Sequence, residues 1–225
     1  PFCLTAKGGL PAYEWKIVSG SLAGLILNNS TGCISGTITE GGNKSVTIQV
    51  IDQNGVETQK SFDFRVYDEL IITSACPLVF GTNGTAYTAN LTAEGGSSPY
   101  TWSIPPPSLL PTGLTLNSTT GRISGTPRVT GNLSFSYKVT DACSNNATKN
   151  CTIAIYEPLK ITKLPLFTCK WVGDDDGCFQ AEAAGGAPTY TWNATTPLPP
   201  TLTINETTGE ICGNFTQAGN FSTII

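Results

Sequence analysis

The 225-residue sequence contains neither histidine nor methionine, and only 12% of its residues are charged. Without histidine, a general base near neutral pH would have to be a carboxylate or a lysine with a shifted pKa. The acidic residues form no recurring spaced pair, and no G-x-S-x-G sequence is present. The sequence therefore gives no basis for an enzyme.

Long apolar runs and basic clusters are missing as well. The formal net charge is −4, and Lys and Arg are scattered along the chain. We therefore expect no nucleic-acid partner, and because no apolar run approaches 18 residues we expect no membrane insertion in this segment. The sequence begins at Pro1 without a methionine or a signal-peptide core, so we expect a mature or excised piece of a larger product.

Zinc chemistry is excluded by the cysteine pattern. The chain has eight cysteines but no C-x-x-C pair, and histidine is absent. We expect disulfide bonds in an oxidising compartment, hence a secreted or cell-surface protein, and no cofactor.

Calcium is the less favoured interpretation of the acidic stretch "WVGDDDGC" at 171–178. Its three carboxylates are hard oxygen ligands, but adjacent side chains on an extended chain point to opposite sides. A solvated turn is favoured there. Asp52 and Asp141 close "VID" and "VTD", where a junctional calcium role is weighed against a turn and the turn is favoured. Trp171 breaks the pattern of the chain and receives no role.

Two independent landmarks recur with one period. The first is a tryptophan, in "YEWKI", "YTWSI" and "YTWNA", which places Trp15, Trp102 and Trp192 at intervals of 87 and 90 residues. The second is a loop, "NNSTGCISGTI", "NSTTGRISGTP" and "NETTGEICGNF", whose glycines Gly32, Gly121 and Gly209 recur at 89 and 88. The chain is therefore a tandem array of units of about 89 residues.

Each unit has the pattern of a β-sandwich. A Gly-Gly turn precedes each tryptophan, and alternating runs such as "SVTIQVID" and "LSFSYKVTD" follow the loop. Alternation with period two predicts strands, and turn residues recur every 8 to 12 positions. We predict an all-β protein of tandem immunoglobulin-like sandwiches, in which the recurring tryptophans are core residues and not sugar-stacking platforms.

The second unit resembles the He_PIG family of immunoglobulin-like repeats, often called cadherin-like, of large cell-surface and secreted proteins. The resemblance rests on "GGSSPYTWSI", "LPTGLTLNSTTGRISGTP" and "VTD". It extends over nearly the whole chain, although "SLAGLILNNSTGCISGTI" lacks both prolines and "ICGNF" replaces "ISGTP". Such repeats are spacers or adhesive modules, so the resemblance implies architecture more than chemistry.

Three repeats are predicted. The first repeat spans 1–68, the second 69–157 and the third 158–225, and the outer two are shorter than the second. About two strands are expected to be missing from each end of the array. We expect those strands to come from further repeats of the same longer chain, or otherwise from copies of the chain through strand addition.

Asparagine gives the sharpest functional signal. Of 15 asparagines, 13 begin an N-x-Ser/Thr sequon, whereas chance would place about 3 there. Some also fit turn chemistry, but the excess predicts a heavily N-glycosylated surface. The sequons begin at Asn28, Asn29, Asn43, Asn83, Asn90, Asn117, Asn132, Asn146, Asn150, Asn193, Asn205, Asn214 and Asn220.

Cysteine positions carry a register argument. Cys3 and Cys33 lie 12 residues before and 18 after their tryptophan, and Cys178 and Cys212 lie 14 before and 20 after theirs. A constant sum of positions is expected of facing residues on two antiparallel strands. We therefore pair Cys3 with Cys33 and Cys178 with Cys212.

The other four cysteines are assigned less fully. Cys143 and Cys151 flank "SNNATKN" and could close a hairpin. Cys76 and Cys169 are left over, each near the start of its unit.

The function that these features predict is that of an extracellular structural glycoprotein, a segment of a filament, surface appendage or stalk. The alternative is a cell-surface adhesin, or a carbohydrate-binding or spacer module of a larger secreted protein. A binding module should expose an aromatic patch specific to one unit, whereas a structural array should keep its units alike. The units are alike except in their cysteines and around Trp171, which favours the structural interpretation.

Overall fold

Strands dominate the computed structural model of the chain, which describes residues 2–164, 172–173, 177–219 and 225. It contains 20 strands, and no helix is formed within the described residues. The prediction of an all-β protein is confirmed. No helix in this part of the chain has the length and apolarity of a membrane span.

Internal contacts divide the chain into two compact units, whose bounds differ from those of the three sequence repeats. The first unit comprises Pro1–Ile71, Ala93–Tyr100 and Asp141–Asn145. The second unit comprises Ile72–Thr92, Thr101–Thr140 and Asn146–Ile225.

The first unit contains two three-stranded antiparallel sheets, with strand orders β1-β4-β3 and β2-β5-β6, and the short strand β10, which pairs with β7. Alternate residues of β5 point inward, so Val46 and Ile48 are buried with Trp15 between the two sheets. This is the sandwich that the alternation predicts. The strands are β1 (Phe2–Cys3), β2 (Glu14–Gly20), β3 (Leu25–Leu27), β4 (Cys33–Gly36), β5 (Gly42–Ile51), β6 (Glu57–Val66), β7 (Ile71–Ile72) and β10 (Ala93–Glu94).

The second unit contains four sheets, with strand orders β11-β14-β15-β8, β12-β13-β9, β17-β20-β19 and β16-β18. In β14 the alternate residues Phe135, Tyr137 and Val139 are at most 4% exposed, which is the period-two burial expected from "LSFSYKV". The strands are β8 (Gly81–Thr82), β9 (Tyr87–Asn90), β11 (Thr101–Ser103), β12 (Leu114–Leu116), β13 (Arg122–Gly125), β14 (Gly131–Thr140), β15 (Asn146–Tyr156), β16 (Lys160–Lys163), β17 (Cys178–Gln180), β18 (Glu182–Ala184), β19 (Thr203–Ile204) and β20 (Glu210–Cys212).

Candidate functional site

Each repeat buries its tryptophan against the glycine of its recurring loop. The three indole side chains are only 4 to 8% exposed. A Cβ atom on the loop glycine would lie at most 2.8 Å from the nearest indole atom, and each glycine has φ between +69° and +73°. Glycine alone fits both the space and the backbone conformation. The pairs are Trp15 with Gly32, Trp102 with Gly121 and Trp192 with Gly209.

The loop asparagine holds this contact in place. In the second repeat, Asn117 Oδ1 accepts the backbone N–H groups of Thr119 and Thr120 at 3.0 Å. The backbone N–H of Trp102 donates to the backbone carbonyl of Ser118 at 2.7 Å. Asn28 and Asn205 make the same bonds in their repeats. Tryptophan and loop therefore recur together because they are two sides of one structural contact.

A carboxylate ties the Gly-Gly turn to the hairpin turn. Asp141 accepts the backbone N–H groups of Ser97, Cys143 and Asn145 at 2.8 to 2.9 Å, and the Asn145 side-chain amide at 3.0 Å. Asp52 accepts three backbone N–H groups in the same way in the first repeat, from Leu10, Asn54 and Val56. Both carboxylates thus act as turn acceptors, which is the role that the turn interpretation gives them.

Hydrogen bonding shifts the pKa of both groups downward. For Asp52, the backbone N–H groups of Leu10 and Val56 lower the pKa below its usual 3.8. For Asp141, burial raises the pKa. The hydrogen bonds from Ser97, Asn145 and Cys143 lower it by a larger amount, so that the net shift is downward. The ionised form of each carboxylate is the form that the fold stabilises.

Asp141→Asn is expected to destabilise the second repeat at pH 7, because an amide loses acceptor capacity toward three backbone donors. A lowered folded-state pKa contributes stability that is present above about pH 3.8 and is lost as the pH falls through the folded value. The variant should therefore lose less stability than the wild type between pH 7 and pH 3. Urea unfolding at these two pH values measures the effect. Glu94→Gln, which changes an exposed carboxylate of β10, is the control and should follow the wild type.

Three disulfides are formed within the described residues. Cys3 is bonded to Cys33 and Cys178 to Cys212, the two pairs that the register argument gives. In both pairs the two cysteines face each other across antiparallel strands, β1 with β4 and β17 with β20. The bonds therefore join the strand before the Gly-Gly turn to the strand after the recurring loop.

The suggested hairpin bond between Cys143 and Cys151 is wrong. Cys151 is bonded to Cys76, and Cys143 is free and exposed. Cys143 lies in the turn, whereas Cys151 lies five residues beyond the first residue of β15, about 17 Å along an extended strand. Two cysteines whose Cα atoms are more than about 7 Å apart cannot be bridged without moving the backbone, so the hairpin cannot close this way. Cys169 lies outside the described residues.

The predicted glycosylation sites lie on the surface. Of the twelve sequon asparagines in the described part of the chain, Asn83 is half-buried and the others are exposed. In the second repeat, Asn132, Asn146 and Asn150 alternate with inward-facing core residues and therefore lie on the outer face of the β14–β15 hairpin. Asn220 lies outside the described residues.

Within the described residues, a single group of side chains has the composition to hold a metal ion. The acidic residues 174–176 and Trp171 lie outside the described residues. Cys178, Glu210 and Cys212 bring their ligand atoms within 4.8 Å of one another, but the two sulfurs are joined to each other and are not thiolate ligands. We expect no metal at this cluster.

A recurring tyrosine bond was not predicted from the sequence. In each repeat the tyrosine two residues before the tryptophan donates its hydroxyl to the first glycine carbonyl of the Gly-Gly turn, at 2.5 to 2.7 Å. The sequence signal was present, because "GG" and "Y" keep their spacing in the three repeats. These tyrosines are Tyr13, Tyr100 and Tyr190.

Comparison with known proteins finds similar chains among curated sequences and among solved structures. The "Serine-rich adhesin for platelets" of Staphylococcus aureus (strain USA300) is 27% identical over 164 residues, which is 66% of this chain and 6% of that protein. The C-terminal fragment of intimin, solved in complex with the intimin-binding domain of its translocated receptor, is 18% identical. That match covers 70% of this chain and 58% of the fragment, with a TM-score of 0.43. Mouse cadherin-23 EC22–24 is 12% identical and covers 96% and 79%, with a TM-score of 0.39.

The family model is matched twice in tandem. The He_PIG model, described as "Putative Ig domain", matches residues 5–67 and 69–156. These matches cover the Trp–Gly contacts, the Gly-Gly turns and the turn aspartates of the first two repeats. The chain is thus a tandem immunoglobulin-like repeat protein and belongs to the He_PIG family.

Proposed function

We propose that the chain is an extracellular structural glycoprotein, a segment of a filament, surface appendage or stalk. The observation that carries this proposal is that the recurring tryptophans of the three repeats make the same buried contact. Trp15, Trp102 and Trp192 are all buried and all make the same contact with a loop glycine. A tryptophan that is buried in the core has a structural role, because a sugar-binding platform requires an exposed ring.

The surface chemistry supports the same proposal. Exposed sequons on the outer strand faces would carry N-linked glycans, and a glycan coat would keep a protein of low charge soluble and shield its strand edges. The Cys3–Cys33 and Cys178–Cys212 disulfides fit an oxidising, extracellular setting. The partners are copies of the chain or further repeats of the same longer chain, and no catalytic activity is proposed.

The intact mass of the protein tests whether its sequons carry N-linked glycans. We expect residues 1–225, expressed as a secreted protein, to exceed the 23.6 kDa of the polypeptide by several glycans, with at least half of the 13 sequons occupied. Asn28 and Asn29 are adjacent, so we expect at most one of them to carry a glycan on any one molecule. Enzymatic removal of N-glycans should return the mass to that of the bare chain. A mass equal to 23.6 kDa for the secreted residues 1–225 would contradict the glycoprotein proposal.

Surface location is tested separately. Immunogold labelling of intact cells that make the protein should decorate extended surface structures or released fibres. Label confined to the cell interior would contradict the extracellular proposal.

An adhesin is the second candidate, and one groove favours it. Trp102, Ile104, Leu109, Leu110 and Leu116 contribute apolar side chains to a groove of about 360 Å³ in the second repeat, and Leu109 is 80% exposed. The staphylococcal relatives are adhesins by name, but this chain covers only 6 to 11% of their length. If Leu109→Ser abolished attachment of the native protein to a cell or matrix while leaving fibres intact, adhesion would be the better description.

A further inference from the structure

The groove that contains Leu109, hereafter the Leu109 groove, is built from a segment that is longer in the second repeat than in the others. From the recurring tryptophan to the loop asparagine, the interval is 15 residues in the second repeat, Trp102 to Asn117, and 13 residues in each of the other two. The longer segment contains the run "IPPPSLLPTG" at 104–113, which includes Leu109. This extra length is specific to the second repeat.

The lining of the Leu109 groove combines aliphatic side chains with hydroxyl groups, and no charged residue is among the described residues that line it. Its volume of about 360 Å³ lies within the usual range of small-molecule sites, about 300 to 1,000 Å³. A sugar ring has the same combination, because its faces carry C–H groups and its rim carries hydroxyls. The lining includes Ile104, Leu109, Leu110, Leu116, Ser108 and Thr115.

A sequon begins at the rim of the Leu109 groove. Asn117 directly follows the lining residue Leu116 in the chain, so the Cα atoms of these two residues are about 3.8 Å apart. The next residue, Ser118, accepts the backbone N–H of Trp102, which also lines the groove, at 2.7 Å. A glycan on Asn117 would therefore start one residue away from the groove.

The side chain of Asn117 is held in one orientation. Its Oδ1 accepts the backbone N–H groups of Thr119 and Thr120, both at 3.0 Å. Its Nδ2, the atom that carries an N-linked glycan, makes no hydrogen bond to the described part of the chain. Because the two bonds to Oδ1 fix the amide plane, the first sugar would leave the loop in a restricted direction. Such preorganisation lowers the entropy cost of placing the sugar against the protein.

Two hydroxyl groups of the lining keep hydrogen-bonding capacity for a ligand. Ser108 Oγ accepts the backbone N–H of Ser136 at 2.6 Å, so its own proton is left to donate. Thr115 Oγ1 donates to the backbone carbonyl of Ser124 at 3.2 Å, so its lone pairs are left to accept. Together they can bond to a sugar oxygen and to a sugar hydroxyl.

We propose that the Leu109 groove is occupied by the first sugars of an N-linked glycan on Asn117, the N-acetylglucosamine residues with which such a glycan begins. The C–H faces of the rings and the methyl of the N-acetyl group would cover Leu109, which is 80% exposed. Burial of this apolar surface is the favourable contribution, and the two hydroxyls of the lining orient the sugar. The proposal rests on the glycoprotein function proposed above.

A sugar attached to this chain is favoured over a separate partner because its docking is intramolecular. A short flexible linker gives an effective concentration in the millimolar range, so a weak contact is enough to fill the groove. A glycan at the rim would also obstruct the approach of a protein. A groove filled in this way is closed to a receptor, which supports the structural function over adhesion. A second copy of the chain is the competing occupant.

Hydroxyl-radical footprinting of residues 1–225, expressed as a secreted glycoprotein, tests the proposal. Thr119→Ala removes the Asn117 sequon but keeps Asn117 and the backbone N–H that its side chain accepts. We expect Leu109 to be labelled at least about threefold less in the parent than in Thr119→Ala, because sugar atoms in van der Waals contact would cover most of its exposed surface. Ser134→Ala, which removes the Asn132 sequon on the outer face of β14, is the control and should match the parent.

Two results would overturn the proposal. One is equal labelling of Leu109 in the parent and in Thr119→Ala, and the mass of the peptide that contains Asn117 shows whether a sugar is attached there and lies elsewhere or is missing. The other is protection of Leu109 that persists in Thr119→Ala, increases with protein concentration and accompanies dimers in sedimentation, which would place a second copy in the groove. Glycans on the remaining sequons, measured by intact mass, would leave the proposed function standing in both cases.

Discussion

Gly121→Ala is expected to destabilise the second repeat by about 3 kcal/mol. Part of the cost is conformational, because alanine must adopt the φ of +70° that this position requires. The larger part is steric. The new Cβ would lie 2.8 Å from Trp102 Nε1, 2.9 Å from Trp102 Cε2 and 3.0 Å from Leu91 O. The indole is only 4% exposed, so moving it away from the new Cβ would disturb the packing of the surrounding core.

Gly84→Ala is the matched control for this prediction. Gly84 has a similar φ, +75°, but no atom lies within 4 Å of its virtual Cβ. It therefore carries the conformational cost alone, about 1 kcal/mol, and it preserves the Asn83 sequon. Hydrogen exchange of the β14 and β15 amides in the intact chain measures both variants. Equal losses for Gly121→Ala and Gly84→Ala would show that the Trp–Gly contact does not hold the repeat together.

Removal of the Cys76–Cys151 disulfide is expected to produce a loss of similar or greater size. The bond joins residues 75 positions apart, and a loop of that length corresponds to about 4 kcal/mol of lost constraint on the unfolded chain. The bond also fixes the segment that contains Cys76 and β8 to β15, so the double variant Cys76→Ala/Cys151→Ala should expose Ile153 and Ile155, which are each 1% exposed. Guanidinium unfolding without reductant measures the loss.

Cys143→Ala is the control for the disulfide. Cys143 is exposed and free, so its replacement should change the free energy of unfolding by less than about 0.5 kcal/mol. Peptide mapping without reduction should recover a Cys76–Cys151 cross-link. Recovery of a Cys143–Cys151 peptide, or a destabilising Cys143→Ala, would show that the hairpin pairing forms after all.

The sequence predicted those features that depend on local periodicity. Tryptophan, loop glycine and Gly-Gly turn recur with one spacing, and that spacing is set by the strands that each repeat must build. The pairs Cys3–Cys33 and Cys178–Cys212 could be found because each lies within one repeat and follows its strand register. Alternation likewise predicted the burial of Phe135, Tyr137 and Val139.

The remaining features depend on contacts between segments that share no periodicity. Phe62 stands in the first repeat where Cys151 stands in the second, so the spacing alone does not pair Cys76 with Cys151. The turn aspartates were seen as turn residues, but their bonds to Leu10 and Ser97 cross 42 and 44 residues.

Cryo-electron microscopy of the native glycosylated material tests the central claim most directly. The account predicts an unbranched linear array in which immunoglobulin-like modules repeat about every 89 residues of chain, with glycan density at the exposed sequons. Dispersed monomers without glycan density would contradict the account.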